Sequence, residues 1–368
     1  MDRTKVIAIG GGPSGGKTTF LDYALPKLTA LGIRPFLVPE CASMLIGGGI
    51  PDISEIEVRD PKTYVEIERQ MLLLHLDLKK RFTATADIFK NEKRVLLCDR
   101  GAKEVDAYLS SRIFEALLQD ERLNLWDVSD CYDAVIFLRS AASGAEKFYT
   151  TANNPSRQEK DPKKARRVDE LTLKVWIGHQ HLWIIPSRED FQEKLDHALR
   201  AILHAVQTPS VEIERWFLLK EKPNFRAKAF RDAVRMEIEQ IYLLGGGRIR
   251  KITEGDYSSY YFAKKEKVPG SKIARHERER RISALDYFWL GKERDPARKV
   301  VKKDRWYFVW NNQYFALDVF REPKKLFKLE IELLDEDDTF ELPLFLKIDR
   351  EVTGDPSCST SEIAKCRA

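Results

Sequence analysis

The chain has 368 residues, 43% hydrophobic and 10% aromatic, which excludes a disordered or low-complexity protein and suits about two domains of ~150 residues. No apolar run reaches transmembrane length, and Met1-Asp2-Arg3-Thr4 leads into an apolar segment with no signal peptide between them. Five cysteines without a CxxC pair argue for reduced thiols and a cytoplasmic location, and the net charge of +5 is gathered unevenly, with 18 Lys/Arg against nine Asp/Glu in residues 248–305.

Residues 1–207 alternate short apolar runs with helical stretches. KVIAIG (5–10), PFLVPE (35–40), VLLCD (95–99), AVIFLR (134–139) and LWIIP (182–186) read as strands apolar on both faces. YVEIERQMLLLHLDLKKRF (64–82) and REDFQEKLDHALRAILHAV (188–206) carry apolar residues at helical spacing. This rhythm predicts a doubly wound parallel sheet covered by helices. Near Thr208-Pro209-Ser210 it changes. VEIERWFLL, RIRKI, SSYYFAKKE, RWYFVWNNQYFALDVF and FKLEIELL read as strands of an antiparallel β domain, with WNNQY as a hairpin turn. The expected organisation is an α/β unit over 1–207, a β unit over 208–354 and a mobile polar tail over 355–368.

The first strand runs into Gly10-Gly11-Gly12-Pro13-Ser14-Gly15-Gly16-Lys17-Thr18-Thr19, which satisfies GxxxxGK[ST]. Glycines let backbone N–H groups turn inward around phosphate oxygens, and the next helix adds its positive end. Residues 11–19 are therefore the expected nucleotide site: Gly11, Gly12, Pro13, Ser14, Gly15, Gly16, Lys17, Thr18 and Thr19. Lys17 is placed for the β- and γ-phosphates, and Thr18 for Mg²⁺. Asp99, ending an apolar strand, is placed to orient Mg²⁺ or its water. Glu40 falls at the edge where α/β sheets bind ligands, either as proton acceptor for a substrate hydroxyl or as a helix cap. The charged stretch NNPSRQEKDPKKARRVDE (153–170) offers Arg157, Arg166 and Arg167 as a lid over the nucleotide, or is simply a solvated surface. No NKxD stretch favours guanine, so ATP and GTP both stand.

In the β unit, Glu212 and Glu214 lie two apart on one strand, as do Glu330 and Glu332. Four carboxylates facing one cavity suit a divalent cation. Arg248, Arg250, Lys264, Lys302 and Arg305 are the cations expected to bind a phosphorylated ligand beside it. Arg275-His276-Glu277-Arg278-Glu279-Arg280-Arg281 reads as a solvated helix with no apolar face for membrane insertion. Trp306, Tyr307 and Trp310 read as cross-strand pairs, which disfavours nucleic acid as a partner.

GGPSGGKT, VPE and VLLCDRG resemble the P-loop domain of the nicotinamide riboside kinase type. EIER, RIRK, LEIE and REVTGD resemble the adenylate cyclase and thiamine triphosphatase (CYTH-like) tunnel superfamily. The ordered pair resembles the translocation-defect GTP-binding protein family. That resemblance implies a kinase-like P-loop domain followed by an eight-stranded antiparallel tunnel, nucleotide binding with GTP included, and phosphoinositide as a ligand of a peripheral membrane protein. It matches Lys17, Thr18 and Asp99 to nucleotide and Mg²⁺ positions, and Glu212 and Glu214 to the first two carboxylates of the tunnel motif ExExK. Trp216 stands at the motif's lysine, which counts against tunnel hydrolysis. The leading expectation is a Mg²⁺-dependent NTPase or small-molecule kinase coupled to a ligand-sensing tunnel. The alternatives are a nucleotide-dependent, non-enzymatic switch on phosphoinositide membranes and a triphosphatase acting in the tunnel.

Overall fold

The computed structural model describes residues 3–51, 53–144, 161–207, 210–271 and 273–366. They form two compact units, Met1–Val206 and Gln207–Ala368.

In the first unit β1 (Lys5–Gly10), α1 (Lys17–Ala30), β2 (Ile33–Val38), α2 (Cys41–Gly47), α3 (Ile53–Arg59), α4 (Pro61–Ala86) and β3 (Lys93–Asp99) follow in order. Then come α5 (Ser111–Asp120), α6 (Leu125–Ser129), β4 (Ala134–Leu138), α7 (Pro162–Trp176), β5 (Leu182–Ile185) and α8 (Phe191–Ala205). The sheet order is β2-β3-β1-β4-β5, and every pairing is parallel. Ile7, Ile9, Leu96, Ile136 and Phe137 are fully buried. Apolar side chains on both faces are what a sheet covered by helices requires, and each contributes about 1.5–3 kcal/mol on leaving water. Parallel strands carry all their carboxyl ends to one edge. That edge receives the loop after β1, Glu40 after β2, and Asp99 and Arg100 at the end of β3.

The second unit holds β6 (Ser210–Leu219), β7 (Val234–Tyr242), β8 (Arg248–Glu254), β9 (Tyr257–Lys267), β10 (Ala274–Ile282), α9 (Ala284–Leu290), β11 (Val301–Trp310), β12 (Gln313–Glu322), β13 (Leu326–Leu333), β14 (Ile348–Glu351) and α10 (Thr360–Ile363). The order β10-β9-β8-β7-β11-β12-β13-β6 closes through β10–β6 into an eight-stranded antiparallel barrel, and β14 adds to β6. Asn311 and Asn312 both take positive φ, 50° and 55°, as a two-residue hairpin turn requires. Alternation along the strands sends Phe217, Phe308, Phe315, Leu317, Leu329 and Ile331 outward, under Phe225, Phe230, Phe340, Leu342 and Leu346. The opposite face of the same strands carries buried charge, including Arg250, Lys303, Asp318, Lys328 and Glu330.

Two expectations are corrected here. Arg275–Arg281 is not a solvated helix but part of β10, with Glu277 and Glu279 bonded to the inward Arg248 and Arg250. The tail is ordered through Cys366: Cys358 packs with Leu218 and Val352, and Ala364 with Val301 and Phe320.

Candidate functional site

The loop after β1 is held from several sides. Gly16 takes φ 84°, a left-handed conformation that glycine adopts without strain, and opens α1. The Gly15 N–H donates to the Gly12 oxygen at 3.2 Å. Lys17 Nζ donates to the Gly11 oxygen at 2.8 Å and the Gly12 oxygen at 3.3 Å. Burial, and then Arg100, lower the Lys17 pKa, while Asp99, Glu40 and Glu104 pull the other way. Thr18 and Thr19 are exposed on the first turn of α1, and Pro13 and Ser14 are half-buried. Ser140 Oγ donates to the Pro13 oxygen, and the Ala141 N–H to the Ser14 oxygen.

Three groups that sequence reasoning missed complete this loop. Asp169 on α7 is fully buried and accepts from the Gly12 N–H at 3.2 Å, the Ser140 N–H at 2.9 Å and Ser143 Oγ at 2.9 Å. It also pairs with Arg139 at 2.9 Å. The Asp169 Cβ lies 2.6 Å from where a Cβ on Gly12 would stand, so residue 12 must be glycine. Lys194 on α8 donates to the Gly15 and Arg139 oxygens at 2.8 and 2.6 Å, and burial brings its pKa down to about 8. Arg100 sits at φ 72°, a strained position for a side-chain residue. It bonds Glu40 at 2.6 Å and Glu104 at 3.0 Å. VLLCDRG displayed that arginine; only the fold shows what it holds.

Glu40 precedes α2 but makes no side-chain cap bond to it, which removes the capping alternative. Its carboxylate takes Arg100 and Ser43 Oγ, each at 2.6 Å. Burial alone would push it up, but Arg100 and Lys17 overcome this and hold its pKa at about 2. Asp99 is pushed up by burial, and its Oδ1 is buried without a hydrogen-bond partner. An orphaned carboxylate oxygen at a strand end near Lys17 fits a hydrated Mg²⁺, which keeps several waters and uses few protein ligands. Thr18 and Asp99 are the residues that would hold it. Arg157 lies outside the described residues, and Arg166 donates to the Ala142 oxygen at 2.8 Å. Arg167 is exposed on α7.

In the barrel, Glu212 and Glu214 meet Lys265, and Lys265 lies 3.4 Å from Glu277. Burial, with Glu277 and Glu214 beside it, pushes Glu212 up against the pull of Lys265. Glu332 stands opposite Glu214 in register. Glu330 is bonded by Arg305 and by Lys328, the latter at 2.7 Å. Asp318 takes Arg305 at 2.7 Å and Lys303 at 2.5 Å. Among the described residues no three His, Cys, Asp or Glu are grouped as a metal site. Lys265 stands against Glu212 and Glu214, and Arg305 and Lys328 against Glu330. Arg248, Arg250 and Arg305 pair with Glu277, Glu279 and Glu330. Of the other two expected cations, Lys264 is exposed and Lys302 half-buried, and they pair with Glu266 and Glu322. Their neighbours Lys265 and Lys303 are the inward cations.

Trp216 receives an unexpected companion. Lys328 Nζ lies 4.3 Å from its ring centroid, and Trp216 Nε1 donates to Glu214 at 3.0 Å.

Among solved structures, the inorganic triphosphatase NE1496 is 25% identical over 42% of this chain and 93% of its own, with a TM-score of 0.28. The NadR protein in complex with NAD and AMP-PNP is 14% identical over 55% of this chain and 49% of its own, with a TM-score of 0.36. The PH1819 protein from Pyrococcus horikoshii OT3 is 17% identical over 34% and 80%, with a TM-score of 0.26. No curated protein matches in sequence. The AAA domain family matches residues 6–194, the span from β1 to α8 that carries the whole glycine loop with Lys17, Asp99, Asp169 and Lys194. On that match the chain belongs to the AAA domain family.

Proposed function

We propose that the first unit binds ATP or GTP with Mg²⁺ and transfers the γ-phosphoryl group to a small molecule or to water. The observation that carries this reading is the position of Lys17. Its ammonium rests on the Gly11 and Gly12 carbonyls, beside Asp99 and the Glu40–Arg100 pair. Lys17 is preorganised to move from those carbonyls to phosphate oxygens. Lys194, Asp169 and Ser140 keep the loop in shape while it does so. A divalent cation, when bound, would share the charge of the β- and γ-phosphates. Glu40 is the carboxylate placed for an acceptor hydroxyl, with Arg100 fixing its orientation. Resemblance to the translocation-defect GTP-binding proteins keeps GTP beside ATP. The inward cations of the barrel, Arg248, Arg250, Lys265, Lys303, Arg305 and Lys328, suit a phosphorylated ligand there.

The test is calorimetry of ATP and GTP, with and without Mg²⁺, on wild type and Lys17→Ala, followed by phosphate release on the same samples. Binding with turnover, both lost in the variant, supports the enzyme. Tight binding without turnover supports a switch. Equal binding by both proteins rejects the site.

A second reading, membrane contact by the second unit, is favoured by α9. Sequence reasoning found no insertion face beside the basic run, but Leu285, Phe288 and Trp289 are 64%, 55% and 61% exposed. Exposed Arg281 and Lys292 flank them. Apolar tips with a basic rim suit an anionic bilayer. Among the described residues no helix is long and apolar enough to cross one. Flotation with phosphoinositide-containing liposomes, with and without nucleotide, tests the contact. Unchanged flotation of a Phe288→Ser/Trp289→Ser variant would reject α9 as its source.

A further inference from the structure

The outer face of the barrel carries a feature that neither the glycine loop nor the barrel interior uses. Beside β6 lies a cavity of about 520 Å³, within the size range of small binding sites. Phe217 on β6 and Trp310 at the end of β11 form part of its wall, and Phe340, Leu342 and Leu344 form the rest. Leu344 is 91% exposed, so it stands at the mouth. An apolar side chain this bare beside a ring-lined cavity marks a surface that gains by being covered.

Three charged groups line the same cavity, Arg215, Glu351 and Glu341. Two of them cancel. Arg215 Nε and Nη2 donate to the Glu351 carboxylate at 2.6 and 2.8 Å, and the guanidinium lies 5.2 Å from the Phe340 ring centroid. Glu341 supplies the remaining charge. It is exposed, yet the residues of the β11–β12 hairpin hold it in place. Asn311 Nδ2 donates to its Oε2 at 2.9 Å, its N–H donates to Gln313 Oε1 at 2.8 Å, and Gln313 Nε2 donates to its backbone oxygen at 3.0 Å. The walls thus combine aromatic rings with one fixed carboxylate. The surrounding segment adds to that charge: residues 335–351 hold seven Asp/Glu against two Lys/Arg, in a chain whose net charge is +5.

This composition selects the occupant. A phosphate or carboxylate would meet Glu341, while Arg215, the cation on the wall, is already engaged by Glu351. A cation on an apolar stem satisfies both walls, because lysine and arginine lay their methylenes along apolar surface and keep the charged head free. Ring faces attract that head as well. Arg215 does this within the chain, with its guanidinium over Phe340 and its fork on Glu351. A free polyamine would meet the charge and leave Leu344 bare. A peptide that alternates basic and aliphatic residues covers both.

We propose that this cavity docks a Lys/Arg-rich, aliphatic segment of a partner protein. One basic side chain lies on Trp310 and reaches Glu341, and an aliphatic neighbour covers Leu342 and Leu344. The assignment stands apart from the nucleotide reading of the first unit.

The experiment uses the full chain and a short fluorescein-labelled peptide in which lysine and arginine alternate with leucine, read by fluorescence anisotropy. Two comparison peptides replace the leucines by serine or the basic residues by glutamate. The basic aliphatic peptide is expected to bind about tenfold tighter than the serine peptide, and the glutamate peptide not at all. Glu341→Gln keeps an acceptor for Asn311 and loses only the charge, and Leu344→Ser removes only the exposed apolar tip. Each is expected to weaken binding about fivefold with thermal unfolding unchanged. Added salt should weaken the wild type more than Glu341→Gln. Equal binding by the wild type and both variants, equal binding of the serine peptide, or no binding of the basic aliphatic peptide overturns the proposal. Full displacement of the peptide by spermine at matched charge would make the occupant a free polyamine. Self-association of the chain that is lost in Leu344→Ser would make it a second copy. Either result overturns the proposal as well.

Discussion

The carboxylate of Asp169, on α7, accepts a hydrogen bond from the backbone N–H of Gly12, 157 residues earlier in the chain. The same carboxylate pairs with Arg139 and ties down Ser140 and Ser143 after β4. One buried acid on α7 therefore joins the glycine loop to the end of β4.

Replacing Asp169 separates its two roles. Asp169→Ala leaves Arg139 without its partner in a buried setting, a defect of about 3–5 kcal/mol. Asp169→Asn keeps an acceptor for Gly12 and loses only the charge, so it should cost less. Thermal unfolding should rank wild type above Asp169→Asn and Asp169→Asn above Asp169→Ala. Equal melting temperatures for Asn and Ala would show that the Gly12 bond contributes nothing.

Asp99 should behave in the opposite sense. Its carboxyl is pushed up by burial, so the ionised form destabilises the fold at neutral pH. Asp99→Asn removes that charge and should raise the stability of the ligand-free protein by about 1 kcal/mol, a trade of function for stability. Mg²⁺-dependent nucleotide binding should fall in the same variant. A variant both less stable and undiminished in Mg²⁺-dependent binding would remove Asp99 from the site.

Much of this was legible in the sequence, and the omissions have physical reasons. GGGPSGGKTT and the apolar runs announce themselves because a parallel sheet needs strands apolar on both faces. Asp169 and Lys194 do not, because each reaches the loop across more than 150 residues and neither belongs to a local pattern. In the barrel, alternation determines everything, and a slip of one residue reverses every side chain. The expected cations Lys264 and Lys302 each lie one residue from Lys265 and Lys303, which face inward, and β11 carries an irregularity between Lys302 and Lys303. RHERERR is nearly all charged and shows no apolar face that would mark it as a strand. It has none because its inner face is carboxylate, bonded to Arg248 and Arg250.

His75 gives the first unit an acid sensitivity with a defined window. It is buried on α4, and burial, with Arg100 nearby, brings its pKa from 6.5 down to about 4; Glu40 opposes weakly. Between those values the unfolded chain binds a proton that the folded chain refuses. Stability is therefore full above about 6.5 and falls as pH drops toward 4, by about 3 kcal/mol in all. His75→Gln should flatten that part of a pH series of urea midpoints relative to wild type. An identical slope in the two proteins would mean that His75 does not titrate in this window.

Trp216 and Lys328 make the last case. Lys328 is 1% exposed, bonded to Glu330, and stands over the Trp216 ring at 4.3 Å. A desolvated ammonium on an indole face is worth about 2 kcal/mol, and here it joins the β6 and β13 carboxylates into one network. The measurement is a double-mutant cycle with Trp216→Leu, Lys328→Met and the pair, read by urea unfolding. Trp216→Leu also frees Glu214 from its indole donor, and Lys328→Met leaves Glu330 to Arg305 alone, so each single change destabilises. The double variant should be less damaged than the sum by about 1–2 kcal/mol, the coupling expected of residues in contact. Strict additivity would show that the two merely lie close. The Lys328 cation would then be held by Glu330 alone.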